Sequence, residues 1–199
     1  SVFIIEKSFG GITLGEEEKK LGIKGSSTRQ VYFENCPVPM ENLLGKRNDG
    51  FKIALNILNS GRIKLSAATI GGSKFALSKA IQYSKEREQF GVKIGSFQAL
   101  QHRCALMFGE IELCKSIVLK ALQAIDSNDS SLSKYSSLAK AKLGLILQLV
   151  SNEAVQMHGG IGVTDDADIG FFLKRARVVQ SMFGDSNFHL DKLAKIKNY

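Results

Sequence analysis

The chain has 199 residues, 44% of them hydrophobic and 23% charged, with a formal net charge of +8. These are ordinary globular values, and the length suffices for one large or two small domains with a real core. No run of 18 or more apolar residues appears, which excludes a membrane-spanning helix, and SVFIIEKSFGG turns acidic too soon for a signal peptide.

The three cysteines, Cys36, Cys104 and Cys114, form no CxxC pair. That argues against a disulfide framework and for a soluble, intracellular, reducing location; each is expected as a small core residue. The positive charge suits an anionic partner: a nucleic acid, an acidic protein or a phosphate-bearing cofactor. Lys and Arg are spread along the chain, however, and a solvated basic surface is the default for most of them.

The first forty-odd residues read as sheet. Val2–Glu6 is a short apolar run before the turn-like Ser8–Gly11, and Gln30–Glu34 is rich in β-formers between turn signals. Pro37 and Pro39, the only two prolines, favour an extended connector. So few strands make no stable sheet alone, so partner strands are expected on another chain or on preceding sequence.

Beyond Asp49 the pattern turns helical. A first helix is expected over Gly50–Glu86, with a possible break at Gly71-Gly72, and a second from Ser96 as N-cap. Leu100, Cys104, Met107, Phe108, Ile111, Val118, Leu122 and Ile125 recur at helical spacing as one apolar stripe. Asp126–Ser133 reads as a loop. A third helix over Lys134–His158 is apolar nearly all round at Leu143–Val150, and is expected to be central and buried. Asp168–Met182 and Asp185–Lys197 complete the set. The expected fold is mainly α: an antiparallel four-helix bundle preceded by a few strands of an incomplete β-domain, divided at 1–46 and 47–199.

Several motifs suit a polar, phosphate-bearing ligand. Gln156–Asp166, QMHGGIGVTDD, holds three glycines in four residues after a long helix. It reads as a C-cap and turn, or as a place where peptide groups and an amide meet a flat ligand. Arg87-Glu88-Gln89-Phe90-Gly91 ends the first helix; the Arg fork suits a diphosphate, against the plainer reading of a surface Arg beside a buried Phe. Gln98 and Gln101 open the next helix with amides that both donate and accept. Asn59-Ser60-Gly61-Arg62 places a costly Gly within a helix, which marks close packing or a ligand face. His102, His158 and His189 have no metal-ligand spacing. His158 is either a ligand contact or a plain loop histidine.

In this order, LGIKGSSTRQVYFENCPVPMENLLG, GFKIALNILNSGR, KEREQFG, SFQALQ and QMHGGIG resemble the C-terminal half of an acyl-CoA dehydrogenase, the first part being similar to the very-long-chain branch. The resemblance implies α,β-dehydrogenation of an acyl-CoA thioester, with FAD as cofactor and a homo- or hetero-oligomer, dimer or tetramer, as the assembly. It implies no nucleic acid partner, and a place in the cytoplasm of a bacterium or the mitochondrial matrix of a eukaryote. It assigns Arg87 and Gln98 to the cofactor's diphosphate and adenosine part from one subunit, and Gln89 and Phe90 to the cofactor as well. It assigns Gln156, Met157, His158, Gly159 and Gly160 to the same cofactor from the neighbouring subunit. Asp185, Ser186 and Asn187 fall where the family touches the flavin, and Asn59, Arg62 and Gly184 fall on the acyl-CoA side.

The chain departs from the family at the catalytic base. A gapless alignment on Arg177, Gln180, Gly184 and Ala194 puts Phe183 where the family usually carries its Glu, and the alternative position for that Glu is Gly61. Asp185 is the nearest acid, and capping the last helix is its expected role. Two further readings therefore stand beside the enzyme: an inactive FAD- or CoA-binding or assembly subunit of the same family, and a helical interaction module without a ligand.

Overall fold

The computed structural model describes residues 1–199. They form two compact units, Ser1–Leu58 and Asn59–Tyr199. No helix is long and apolar enough to cross a membrane.

In the first unit, β1 (Val2–Phe3) pairs antiparallel with β4 (Leu43–Leu44), and β2 (Ile12–Glu17) pairs antiparallel with β3 (Arg29–Phe33). β3 lies one residue earlier than its sequence pattern suggests. β1 is shorter than the Val2–Glu6 run because Ile4 donates its backbone N–H to Asn42 O across only one further step, at 2.9 Å. β2 is not announced by its sequence, since ITLGEE alternates only over Ile12 and Leu14. Its register, Ile12↔Phe33 to Leu14↔Val31, slips before Glu17↔Arg29, the mark of a bulge. Every residue of β3 is exposed, and a two-stranded ribbon is marginal in water on its own. Pro39 leads into a single 3-10 turn, Met40–Asn42.

The second unit, with the first turns of its first helix drawn from the end of the first unit, is an antiparallel helical bundle. α1 runs unbroken over Gly50–Glu86. The expected interruption at Gly71-Gly72 does not occur: two glycines weaken a helix by roughly 2 kcal/mol together, and burial of Ala76, Leu77 and Ala80 in the core outweighs that. α2 spans Gln98–Asp126, α3 Leu132–His158, α4 Ile169–Ser181 and α5 Ser186–Ile196. Ser96 is not the N-cap of α2. Phe97 holds that position without a side-chain bond, and the Ser96 hydroxyl donates instead to Lys93 O at 2.7 Å.

α3 is the central element, packing against α2, α4 and α5. Leu143, Ile146, Leu147, Val150 and Ala154 meet Met107, Ile111 and Cys114 of α2 and Ile169, Ala176 and Val179 of α4. A smaller cluster joins Ile63, Val118, Ala121 and Ala139. The α2 stripe is as expected except at Phe108, which is exposed; Cys114 takes the buried place beyond Ile111 because 114 continues the i, i+3 track from 111. Among the cysteines Cys114 is fully buried and Cys36 and Cys104 partly so, while all three are free.

Candidate functional site

Two places in the bundle gather the residues singled out from sequence. The first is a cleft at the end of α1. Past Glu86 the chain makes a tight hairpin, β5 (Glu88–Gln89) with β6 (Val92–Lys93). Its central residues Phe90 and Gly91 sit at φ +57° and +78°, as a two-residue turn matching strand twist requires. A bulky residue at positive φ costs roughly 1–2 kcal/mol, yet Phe90 is 91% exposed, its ring set edge-on to Phe97 with centroids 6.2 Å apart. The reading of Phe90 as a buried anchor is thus corrected: the turn throws the ring outward. Arg87 is anchored through its backbone, N–H to Tyr83 O at 2.8 Å and carbonyl to Ile94 N at 2.9 Å. Its exposed side chain is in none of the chain's ion pairs.

α3 ends beside this hairpin. The His158 ring stacks on Tyr83 of α1, centroids 4.5 Å apart, and its Nδ1 bonds Ala154 O at 2.7 Å. Gly159 then turns the chain at φ +66°, ψ −145°, a region effectively closed to other residues. Gly160 faces open space, whereas a Cβ at Gly162 would lie 2.8 Å from Val155 O. The glycines therefore do different work: one turns, one leaves a face clear, one lets the backbone fold down on its own helix.

Together Tyr83, Arg87, Gln89, Ile94 and Met157–Ile161 line one cleft of about 490 Å³. One chain brings Arg87 and the glycine bend together; α1 and α3 end at the same end of the bundle, tied by the Tyr83–His158 stack. Gln98, at the start of α2, and Gln156, on the last turn of α3, are exposed and lie outside this lining. The donors that face the cleft, a guanidinium, an amide and a bare glycine backbone, suit an anionic diphosphate. FAD, the cofactor the resemblance implies, fits this donor set at its diphosphate.

The second place is the turn between α4 and α5. Phe183 and Gly184 both take positive φ, +58° and +99°. The Phe183 ring lies against Gly61 of α1, where an added Cβ would stand 3.5 Å from it. The two positions that the sequence alignment sets against the family's carboxylate thus face each other. Arg62 donates from Nε to Phe183 O at 2.9 Å and from Nη1 to Asn59 Oδ1 at 3.1 Å. His189 meets the same carbonyl with Nε2 at 3.1 Å. A carbonyl only accepts, so that nitrogen carries the proton and Nδ1 is the bare one; it has no partner. Lys140 donates to Gly184 O at 2.8 Å and to Gln180 O at 3.1 Å. The Gln180 amide reaches Gly144 O at 3.1 Å, and the Ser186 hydroxyl reaches Ala141 O at 3.1 Å.

Asp185 caps α5, its Oδ1 accepting from Phe188 N at 2.8 Å. Asn187 is exposed. Asn59 and Arg62 are buried and committed to each other and to backbone.

This turn is cationic. Burial pushes the Lys140 ammonium down to about 8, with Asp185 opposing and Arg62 reinforcing the shift. Burial likewise lowers His189 to about 4, against the bond to Phe183 O and with help from Arg62, Lys140 and Lys192. Lys192 and Arg62 are lowered as well, by burial first. Tyr83, Ile94 and Lys140 escaped the sequence reading, and Gln180 and His189 entered it only as an alignment anchor and as a histidine without metal-ligand spacing. Lys140 alone left a signal there: it shares the helical face of Gly144, Leu147 and Ser151 in an otherwise apolar track.

Residues 48–197 match the family model of the acyl-CoA dehydrogenase C-terminal domain. The chain is 37% identical over 180 residues to a probable acyl-CoA dehydrogenase of Mycobacterium tuberculosis, covering 90% of this chain and 46% of that protein. It is 33% identical over 193 residues to the mitochondrial short/branched chain specific acyl-CoA dehydrogenase of Rattus norvegicus, covering 97% of this chain and 44% of the relative. Butyryl-CoA dehydrogenase from Megasphaera elsdenii superimposes with a TM-score of 0.94 at 32% identity, over 99% of this chain and 51% of that one. An acyl-CoA dehydrogenase from Bacillus anthracis complexed with FAD superimposes at 0.92 and 32% identity, over 98% and 37%. The chain spans about half the length of the curated relatives it matches.

Proposed function

The chain belongs to the acyl-CoA dehydrogenase family, and from this we propose that it takes part in FAD-dependent α,β-dehydrogenation of an acyl-CoA thioester within a larger assembly. Its own share is to hold the cofactor and to frame the acyl side. The observation that carries the reading is the meeting of Arg87, Gln89 and the Gly159-Gly160 bend in one cleft. Residues 1–46 belong in this reading to the family's β-domain and 47–199 to its C-terminal helical domain. The remainder of the cofactor site comes from the part of the family fold that this chain does not span, in a homo- or hetero-oligomer.

Arg87 meets the diphosphate charge with its fork, and the peptide groups of Gly159 and Gly160 approach it without a side chain between. Phe90, Gln89 and Gln98 reach the cofactor from the hairpin and the start of α2, Gln156 to His158 from the end of α3. Asp185, Ser186 and Asn187 stand on the flavin side, Asn59, Arg62 and Gly184 on the acyl side. When bound, FAD supplies the acceptor for the β hydrogen. Removal of the α proton needs a base within hydrogen-bond reach, and the phenyl ring of Phe183 cannot be that base.

That last point favours a second reading, a FAD- or CoA-binding or assembly subunit without turnover of its own. One experiment separates them. The purified protein, alone and in its native assembly, is examined for flavin absorbance and then mixed anaerobically with a panel of acyl-CoA thioesters. Bound flavin that bleaches supports dehydrogenation. Bound flavin that stays oxidised with every thioester supports the second reading. No flavin in either preparation removes dehydrogenation and FAD binding and leaves a CoA-binding or assembly subunit or a helical interaction module.

A further inference from the structure

The turn at Phe183 is held by more donors than its two helix ends require. Three carbonyls at the end of α4, those of Gln180, Phe183 and Gly184, receive Lys140 twice, Arg62 once and His189 once. The donors come from three different helices, α3, α1 and α5. A helix C-terminus presents carbonyls without intrahelical partners and a partial negative charge, so cations there are favourable. What is unusual is their burial. Lys140 is 0% exposed, and its bonds run to carbonyls, not to a carboxylate. A buried ammonium is costly against an apolar residue of the same size, so its presence calls for a return other than stability.

We propose that Lys140 is the positioning residue of this turn: from α3 it fixes the backbone at 183–184 against Gly61, so that where the side chain of residue 183 points is set by α1, α3 and α5 and not by that side chain. Position 183 then accepts a phenyl ring or a carboxylate in the same place. The inference rests on reading position 183 as the family's seat for the base, and does not depend on whether this chain binds flavin.

The protein contains no Trp, so Phe183→Trp installs a single reporter at the seat. Charged groups acting on Lys140 are Arg62 on α1 and Asp185 in the turn; on α5 the neutral His189 lies beside Lys140, and Lys192 acts on His189 and Arg62. Arg62 keeps its charge throughout, and His189, at about 4, is already neutral. Between about pH 6.5 and 9.5, Lys140 and Lys192 are therefore the groups to separate. In the F183W protein, tryptophan emission is expected to move to longer wavelength with a midpoint near 8, as the charge-assisted hold on the turn weakens. Adding K140M should give the longer-wavelength emission at every pH with helical circular dichroism retained. Adding K192M should leave the midpoint in place.

A flat F183W profile would overturn the proposal. So would equal emission in F183W and F183W/K140M with helix retained, or a midpoint that disappears with K192M. If the K140M protein loses its helix, the F183W and F183W/K192M titrations decide alone. Loss of flavin binding, by contrast, would count against the proposed function and leave this inference untouched.

Discussion

The cleft at Arg87 and the turn at Phe183 are built on opposite plans. In the cleft the cationic side chain is free: Arg87 enters no ion pair, and Gly160 faces open space. At the turn nearly every donor is spent: Arg62, Lys140, Gln180, Ser186 and His189 all end on atoms of the chain itself. The difference teaches what each surface is for. Groups that meet a ligand must lack partners until it arrives, because an exposed cation loses little by waiting in water. Groups that fix a geometry must be satisfied already, because an unpaired buried donor costs about 1–3 kcal/mol.

The sharpest way to test this contrast is Phe183→Glu. If the turn is fixed independently of its side chain, the carboxylate arrives beside Gly61 in place. Flavin reduction by an acyl-CoA thioester in the FAD-loaded assembly should then rise by at least roughly a hundredfold, the lower range for a positioned base. No rise with substrate and FAD both bound would break the comparison at the turn.

Acid should attack the turn and spare the cleft. His189 is held neutral, at about 4 against an ordinary 6.5. Above pH 6.5 the group is neutral in both folded and unfolded chain and that stability is fully present. As pH falls toward 4 the unfolded chain takes the proton first, and about 3 kcal/mol is lost. Urea unfolding at the two ends of this window measures it, and His189→Phe should flatten the profile.

Arg87→Ala should act only on the ligand. Loss of one charge-assisted contact predicts FAD binding weaker by roughly ten- to a hundredfold, with the unfolding midpoint unchanged. A fall in stability with unchanged FAD affinity would show that the guanidinium serves the fold. The smallest expected effect is Gly159→Ala. A Cβ there meets nothing within 4 Å, so the cost is confined to the backbone at φ +66°. It should be about 1–3 kcal/mol in denaturant unfolding, with a smaller loss of cofactor affinity than Arg87→Ala.

The strands show where sequence legibility stopped. QVYFE announces β3 by its β-formers, but β2 carries only Ile12 and Leu14 in alternation, and both strands of the ribbon are largely exposed. Where no face is buried, no strong pattern is written. The short hairpin after α1 was hidden for a related reason: Phe90 at positive φ is a choice local propensity does not make.

By itself the sequence determined the helical bundle, its order of helices, the central burial of α3 and the capping role of Asp185, because each rests on periodicity or on contacts between near neighbours. It also determined that Phe183 and Gly61 are not carboxylates. The tertiary structure alone decided that those two positions touch, that Arg87 and the glycine bend line one cleft of one chain, and that Lys140 ends on the carbonyls of α4. These are meetings of residues that stand forty to a hundred and twenty-two positions apart in the chain, and a periodic pattern carries no information about which distant turn a side chain will reach.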